Sequence, residues 1–219
     1  MLKTIIKITL ISIGISLFSS CATENKSRVD SLPFYQEASF TPIWKSTSEL
    51  SSNFHSIPDF SLTNQNGKKI TNHSFDNKIY VADFFFTECS GICPKMTTNM
   101  SLIQKAFEKD EEILLISHSV TPHKDSVPVL KNYADLYSVD SNKWHLVTGE
   151  RKEIYDLGRN SYFVEEDMGV GLNVDDFLHT ENFVLIDKNK HIRGIYNGLN
   201  LSSVNQLIED IKTLKKEIN

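Results

Sequence analysis

Cys89 and Cys93, separated by Ser90-Gly91-Ile92 and followed by Pro94, are the residues of this chain best suited to chemistry. Two thiols brought to one point can close a disulfide or bind a soft metal ion. Thioredoxin-type oxidoreductases use C-x-x-C. Here three residues intervene, and Gly91 is expected to take backbone angles that fold the loop back on itself. Two sulfurs alone leave a metal open to exchange, so a third ligand is sought among the seven histidines. His55 and His73 are expected at the surface, His118 ends a strand, His123 and His145 sit near a loop and a short strand, and His191 begins a hairpin. His179 stands just before the strand Asn182–Asp187, and its position alone leaves it balanced between a ligand and a surface residue.

These residues need a scaffold. Lys78–Phe86 is an almost continuous apolar, β-favouring run, which suits a central strand covered on both faces. The cysteine loop follows at once, and Pro94 is suited to the first turn of a helix whose buried face is Met96, Met100, Ile103 and Phe107. At that spacing the methionines read as core rather than as thioether ligands. Strand-to-helix junctions of α/β sheets carry functional crevices, and a helix N-terminus favours a thiolate.

Glu112–Val120 reads as a second buried strand. A helical stripe follows (Val127, Leu130, Ala134, Tyr137), then a short strand (Trp144–Val147) and a weaker helix with Ile154 and Leu157. An antiparallel hairpin is expected over Asn182–Asp187 and His191–Tyr196. A closing helix carries Val204, Leu207, Ile208, Ile211 and Leu214, with Ser203 and Gln206 as its capping pair. An earlier hairpin spans Phe60–Thr71 through the turn Asn64-Gln65-Asn66-Gly67. The order predicts an α/β fold, a central mixed β-sheet with helices on both faces and an N-terminal hairpin.

The first twenty residues are different in kind. Lys3 and Lys7 precede an apolar run from Ile8 to Phe18, then Ser19-Ser20 and Cys21. That layout is a secretory signal, and the run is too short to span a bilayer comfortably. Cys21 after the small pair resembles the bacterial lipoprotein box, with Phe18 where Leu is usual; an uncleaved anchor or an ordinary signal peptide is the alternative. The expected organisation is a signal peptide at 1–20, a polar tether at 21–53 docked in part through Phe34-Tyr35 and Ile43-Trp44, and one domain at 54–219. It places the domain outside the cytoplasm, on the periplasmic side of a cell-envelope membrane. With lipid on Cys21, Cys89 and Cys93 are an isolated pair in a compartment that permits disulfides. Net charge is −5, without the basic face that nucleic acid requires.

Residues from about 57 to 216 resemble the Sco/SenC family of copper chaperones, most closely across Phe84–Pro94, Ser117–Tyr133 and His179–Asp187. The family's C-x-x-x-C-P matches Cys89 to Pro94. Its strand, Pro-containing loop and Asp before a helix resemble Ile116–Asp125, and its distal metal-binding histidine falls on His179. The resemblance implies a thioredoxin-like fold and a copper site made by Cys89, Cys93 and His179. It also implies a membrane anchor, and as client the dinuclear copper centre of cytochrome c oxidase, with other copper chaperones as further partners. Many relatives have Pro-Asp where this chain has Ser90-Gly91, and Asp where it has Leu178; neither position is a ligand in the family pattern.

Thiolate sulfur suits Cu(I) and imidazole tolerates Cu(II), so one site of this kind could hold either state. Zinc structural sites generally want four ligands, and iron–sulfur clusters need more cysteines. The competing reading is a thiol-disulfide oxidoreductase that keeps client cysteines reduced through Cys89 and Cys93. A peroxidase ranks lower, because no arginine lies near the cysteine loop. His118 is a candidate auxiliary group, with a structural role weighted above it.

Overall fold

The computed structural model describes residues 27–164 and 180–218. The elements run β1 (Ser61–Asn64), β2 (Lys69–Thr71), β3 (Ile79–Phe85), α1 (Cys93–Ala106), β4 (Ile113–Ser119), α2 (Val127–Leu136), β5 (Trp144–Thr148), α3 (Arg151–Asp156), β6 (Asn182–Ile186), β7 (Ile192–Asn197) and α4 (Leu201–Ile218). All strands join one sheet in the order β2-β1-β5-β4-β3-β6-β7. Strands β3, β4 and β5 are parallel, and the flanking hairpins pair antiparallel to them.

Every residue of β3 and β4 is buried, which explains the apolar runs Ile79–Ala82 and Ile113–Ile116 that begin them. Alternate side chains feed two cores. Ile79, Val81 and Phe85 meet α1, α2 and α4 on one face. Tyr80, Ala82 and Phe84 meet Phe60, Phe75, α3 and the π-helical turn Leu157–Ser161 on the other. Met96, Met100 and Ile103 are fully buried, so the methionines are core as expected. Gly67 takes φ +72° in the first hairpin's turn, where Asn64 Oδ1 accepts the N–H groups of Asn66 and Lys68, each at 3.0 Å.

Two local expectations change. Helix α4 begins before Ser203: Asn200 Oδ1 accepts the N–H of Ser202 at 2.9 Å and of Ser203 at 3.2 Å, so Asn200 is the cap. Ser203 instead accepts the N–H of Asn197 at 3.0 Å. Along the segment read as a tether, residues from Ser27 lie against β7 and α4. Phe34 is buried and bridges Ile43, and Tyr35 pairs with Ile192. Buried Arg193 holds the segment through the carbonyls of Leu32 (2.6 Å) and Pro33 (3.1 Å), with Asp187 and Glu217 as its counter-charges. A buried guanidinium needs such partners, and removing one leaves an uncompensated charge. Trp44, expected to dock, is exposed instead.

Candidate metal centre

The cysteine loop starts where β3 ends, and its second thiol is the first residue of α1. Cys93 is buried and belongs to the core between the sheet and α1, whereas Cys89 is partly exposed. The two are free thiols in contact, the Cys93 thiol donating to the Cys89 sulfur.

Their electrostatics differ. Burial by itself would raise Cys89. That effect is overridden by hydrogen bonds from the Cys93 thiol and from the N–H groups of Cys93, Gly91 and Ile92, so the net shift is downward. Consecutive N–H groups at a helix start make an anion-binding concavity, here occupied by sulfur. Cys93 is pushed up to about 12 by burial first, then by its bond to Cys89 and the negative charges of Cys89 and Asp83. The thiolate form is thus favoured at Cys89 and disfavoured at Cys93.

Gly91 does not have the role expected of it. It is absent from the left-handed region, and a Cβ there would lie 3.9 Å from Cys89 Sγ, an ordinary contact. The convergence comes from elsewhere. Asp125, fully buried, accepts Thr87 Oγ1 at 2.5 Å and Thr87 N at 3.4 Å, together with Ser119 Oγ at 2.5 Å and Thr121 Oγ1 at 3.0 Å. This carboxylate ties the start of the cysteine loop to the end of β4. It explains the Asp two residues before α2, which the residues alone did not.

Asp83 was passed over in the sequence, although it is the one charged residue inside an apolar strand. It is buried on the α1 side, where Ser117 Oγ donates to it and Trp144 Nε1 donates to Ser117 Oγ at 2.8 Å. Burial raises its carboxyl to about 7, opposed by the Ser117 bond. His118 points to the opposite face. Its ring stacks on Phe84 at 4.7 Å beside Tyr162, its Nδ1 donates to the Asp83 carbonyl at 3.3 Å, and its Nε2 has no partner. The sheet lies between it and Cys93, so it is a residue of the aromatic core.

Cys21 and His179 lie outside the described residues, as does Leu178. Among the described residues no cluster of three or more His, Cys, Asp or Glu could hold a metal, and no helix is long and apolar enough to cross a membrane. The described chain resumes at Thr180 and enters β6, which runs antiparallel to β3 with Val184 opposite Ala82. The start of β6 is therefore at the cysteine-loop end of the sheet.

The SCO1/SenC family model matches residues 48–216. The chain belongs to the SCO1/SenC family. Similar solved structures agree with that membership. A SCO1/SenC family lipoprotein from Bacillus anthracis is 30% identical, with a TM-score of 0.64, covering 74% of this chain and 95% of its own. The Bacillus subtilis protein BsSco, described as having a disulfide switch and as a member of the Sco family of cytochrome c oxidase assembly proteins, is 29% identical with a TM-score of 0.63, covering 74% and 94%. ScoI of Bradyrhizobium japonicum, solved with copper bound, is 27% identical with a TM-score of 0.57, covering 74% and 99%. SCO1/SenC membership makes copper the metal to test against this dithiol.

Proposed function

We propose that this protein is a membrane-anchored copper chaperone, attached by lipid at Cys21 to the periplasmic side of a cell-envelope membrane. It binds copper through Cys89, Cys93 and His179 and delivers it to the dinuclear copper centre of cytochrome c oxidase. The observation that carries the reading is the convergence of two thiols on the N-terminus of α1, where N–H groups of the loop point at the Cys89 sulfur and lower its pKa. Soft sulfur donors suit Cu(I), and an imidazole would extend the site to Cu(II). Copper bound to ScoI, the description of BsSco as an oxidase assembly protein and the lipoprotein from Bacillus anthracis support the cargo, the client and the anchor in turn. For His179 the support is the arrival of β6 at the cysteine-loop end.

A specific observation favours a second reading. Cys89 is partly exposed with a lowered pKa and Cys93 is buried with a raised one, an arrangement suited to a dithiol reductase. The Cys89 thiolate would attack a client disulfide, releasing one client thiolate. Cys93, losing its proton, would then attack the mixed disulfide, release the second client thiol and leave Cys89–Cys93 oxidised.

His179→Ala separates the two. It is expected to weaken copper binding by at least the about 10- to 100-fold typical of losing a ligand's supporting partner, more for Cu(II) than for Cu(I), while dithiol exchange survives. Competition titration and exchange rates are measured together on wild type and variant. Unchanged copper binding with collapsed exchange would make the oxidoreductase the better account.

A further inference from the structure

Six histidines lie among the described residues, and five of them have a ring nitrogen in a hydrogen bond. His55 meets the Ser161 carbonyl at 2.7 Å, His73 the Asp76 carboxylate at 3.2 Å and His118 the Asp83 carbonyl at 3.3 Å. His145 meets the Asn64 amide at 3.4 Å, and His191 the His55 carbonyl at 2.8 Å. His123 differs from all of these: it is exposed and makes no hydrogen bond to a described residue. An imidazole that the fold does not use keeps its nitrogens for a ligand. A free surface histidine means little by itself, so its position decides.

That position is set by the loops that follow β3 and β4, which pass each other in opposite directions. Thr87 Oγ1 donates to the buried Asp125 carboxylate at 2.5 Å, and one step further out Lys124 Nζ meets Glu88 Oε2 at 2.8 Å. Continued by one more step, the same register sets His123 against Cys89. Each loop is held on its course by its own turn. The N–H groups of Lys124 and Asp125 donate to the Thr121 carbonyl at 2.8 and 2.9 Å, and the N–H of Cys89 donates to the Phe86 carbonyl at 3.3 Å. Lys124 comes first among the groups that lower the Glu88 carboxyl, and His123 follows it, so the imidazole is within electrostatic reach of the residue next to Cys89.

Cys89 is also the thiol that solvent reaches, whereas Cys93 is buried. Copper leaving the pair passes over the Cys89 sulfur. Among the described residues His123 completes no three-donor cluster, which places it outside the resident site and beside one sulfur. Thiolate suits Cu(I), and imidazole is a common copper donor. A metal-bound imidazole ordinarily gives its second N–H to a carboxylate or carbonyl, and Glu88 stands ready to accept it.

We propose that His123 is a transfer ligand, which holds Cu(I) together with Cys89 while copper moves between the dithiol and a partner. The Cu–S bond to Cys93 breaks, the sulfur keeping the electron pair and taking a proton from water, and a Cu–N bond to His123 forms. Copper remains Cu(I) throughout. A donor from the partner then replaces the imidazole and finally the Cys89 sulfur; loading runs in reverse. The inference rests on the copper reading above and adds a residue to it.

The full chain, loaded with Cu(I) in its dithiol form, is mixed with excess bicinchoninate, and transfer is followed by the absorbance of the chelate. Competition titration gives the equilibrium affinity of the same samples. His123→Ala is expected to slow transfer about 10-fold, the low end of the loss on removing a metal ligand's support, with affinity kept within about 2-fold. His123→Met, a soft thioether donor, should restore the rate, and His123→Lys, a cation without a free lone pair, should not. In Cys93→Ser with His179→Ala, X-ray absorption of bound Cu(I) should show one sulfur and one nitrogen donor, the nitrogen disappearing on addition of His123→Ala. Unchanged transfer in His123→Ala, or a nitrogen donor that survives it, overturns the proposal and leaves the copper reading intact. Rescue by Lys and not by Met overturns it in favour of a charge effect. A loss of affinity as large as the loss of rate overturns it in favour of a resident ligand. Absence of tight Cu(I) binding to the wild-type dithiol form overturns the copper reading and the proposal together.

Discussion

Two buried titratable groups sit on adjacent strands at almost the same height, on opposite faces of the sheet. Asp83 in β3 faces α1 and the thiol Cys93; His118 in β4, opposite Phe84, faces an aromatic layer. Burial favours the neutral form of both but from opposite sides of the pH scale, raising Asp83 to about 7 and lowering His118 to about 4. Only Asp83 also contributes to the raised pKa of Cys93. Burial is common to the two, and what differs is the neighbour: one charge is coupled to the dithiol, and the other is confined to the fold.

Replacing Asp83 should have the largest effect on this comparison. Its folded pKa lies above the ordinary 3.8. Below about pH 4 the carboxyl is protonated in both states and costs nothing. As pH rises toward 7 the unfolded chain ionises first, and stability falls until the folded carboxyl ionises as well. At ~1.4 kcal/mol per unit between the two values, the penalty above pH 7 approaches about 4 kcal/mol. Asp83→Asn should therefore be near neutral at pH 4 and stabilising at pH 8, as read by urea unfolding. It should also lower the Cys93 pKa in a pH profile of alkylation. A variant equally destabilised at both pH values would break the account of Asp83.

His118 gives the opposite sign and a somewhat smaller effect. Its folded pKa is depressed, so its contribution is complete above the ordinary 6.5 and is lost as pH falls toward 4. The loss is about 3 kcal/mol by the same conversion. His118→Phe should resist acid better than wild type and leave the cysteine alkylation profile where it was. A shift of that profile by His118→Phe as large as that by Asp83→Asn would erase the distinction between the two faces.

Much of this was legible in the residues. The runs that became β3 and β4 are mostly apolar because both faces are covered, and the stripe of Met96, Met100 and Ile103 is the buried side of α1. The cysteine pair could be placed at a strand-to-helix junction for the same reason. Gly91 was misleading, because a glycine permits a turn without requiring one; the loop is held by Asp125, reaching Thr87 across 38 positions of sequence. Asp83 was hidden by its run: a periodicity argument treats a lone carboxylate as an exception, and only the structure shows Ser117 and Trp144 beneath it. The cap of α4 moved to Asn200 because Asn and Ser compete for the same helix start and only geometry decides between them. Docking of the N-terminal segment depends on Arg193, whose partners Leu32 and Pro33 are some 160 residues away.

The central claim is that the sulfurs of Cys89 and Cys93 bind copper, and a disulfide and a metal compete for those same electron pairs. The most direct measurement is a Cu(I) and Cu(II) titration of the full chain against a competing chelator, run on the dithiol form, after oxidation to the Cys89–Cys93 disulfide, and after re-reduction. The account predicts one tightly bound copper in the dithiol form, loss of tight binding on oxidation and its recovery on reduction. Equal affinity of the oxidised and reduced forms would contradict it, because the ligands would then lie elsewhere.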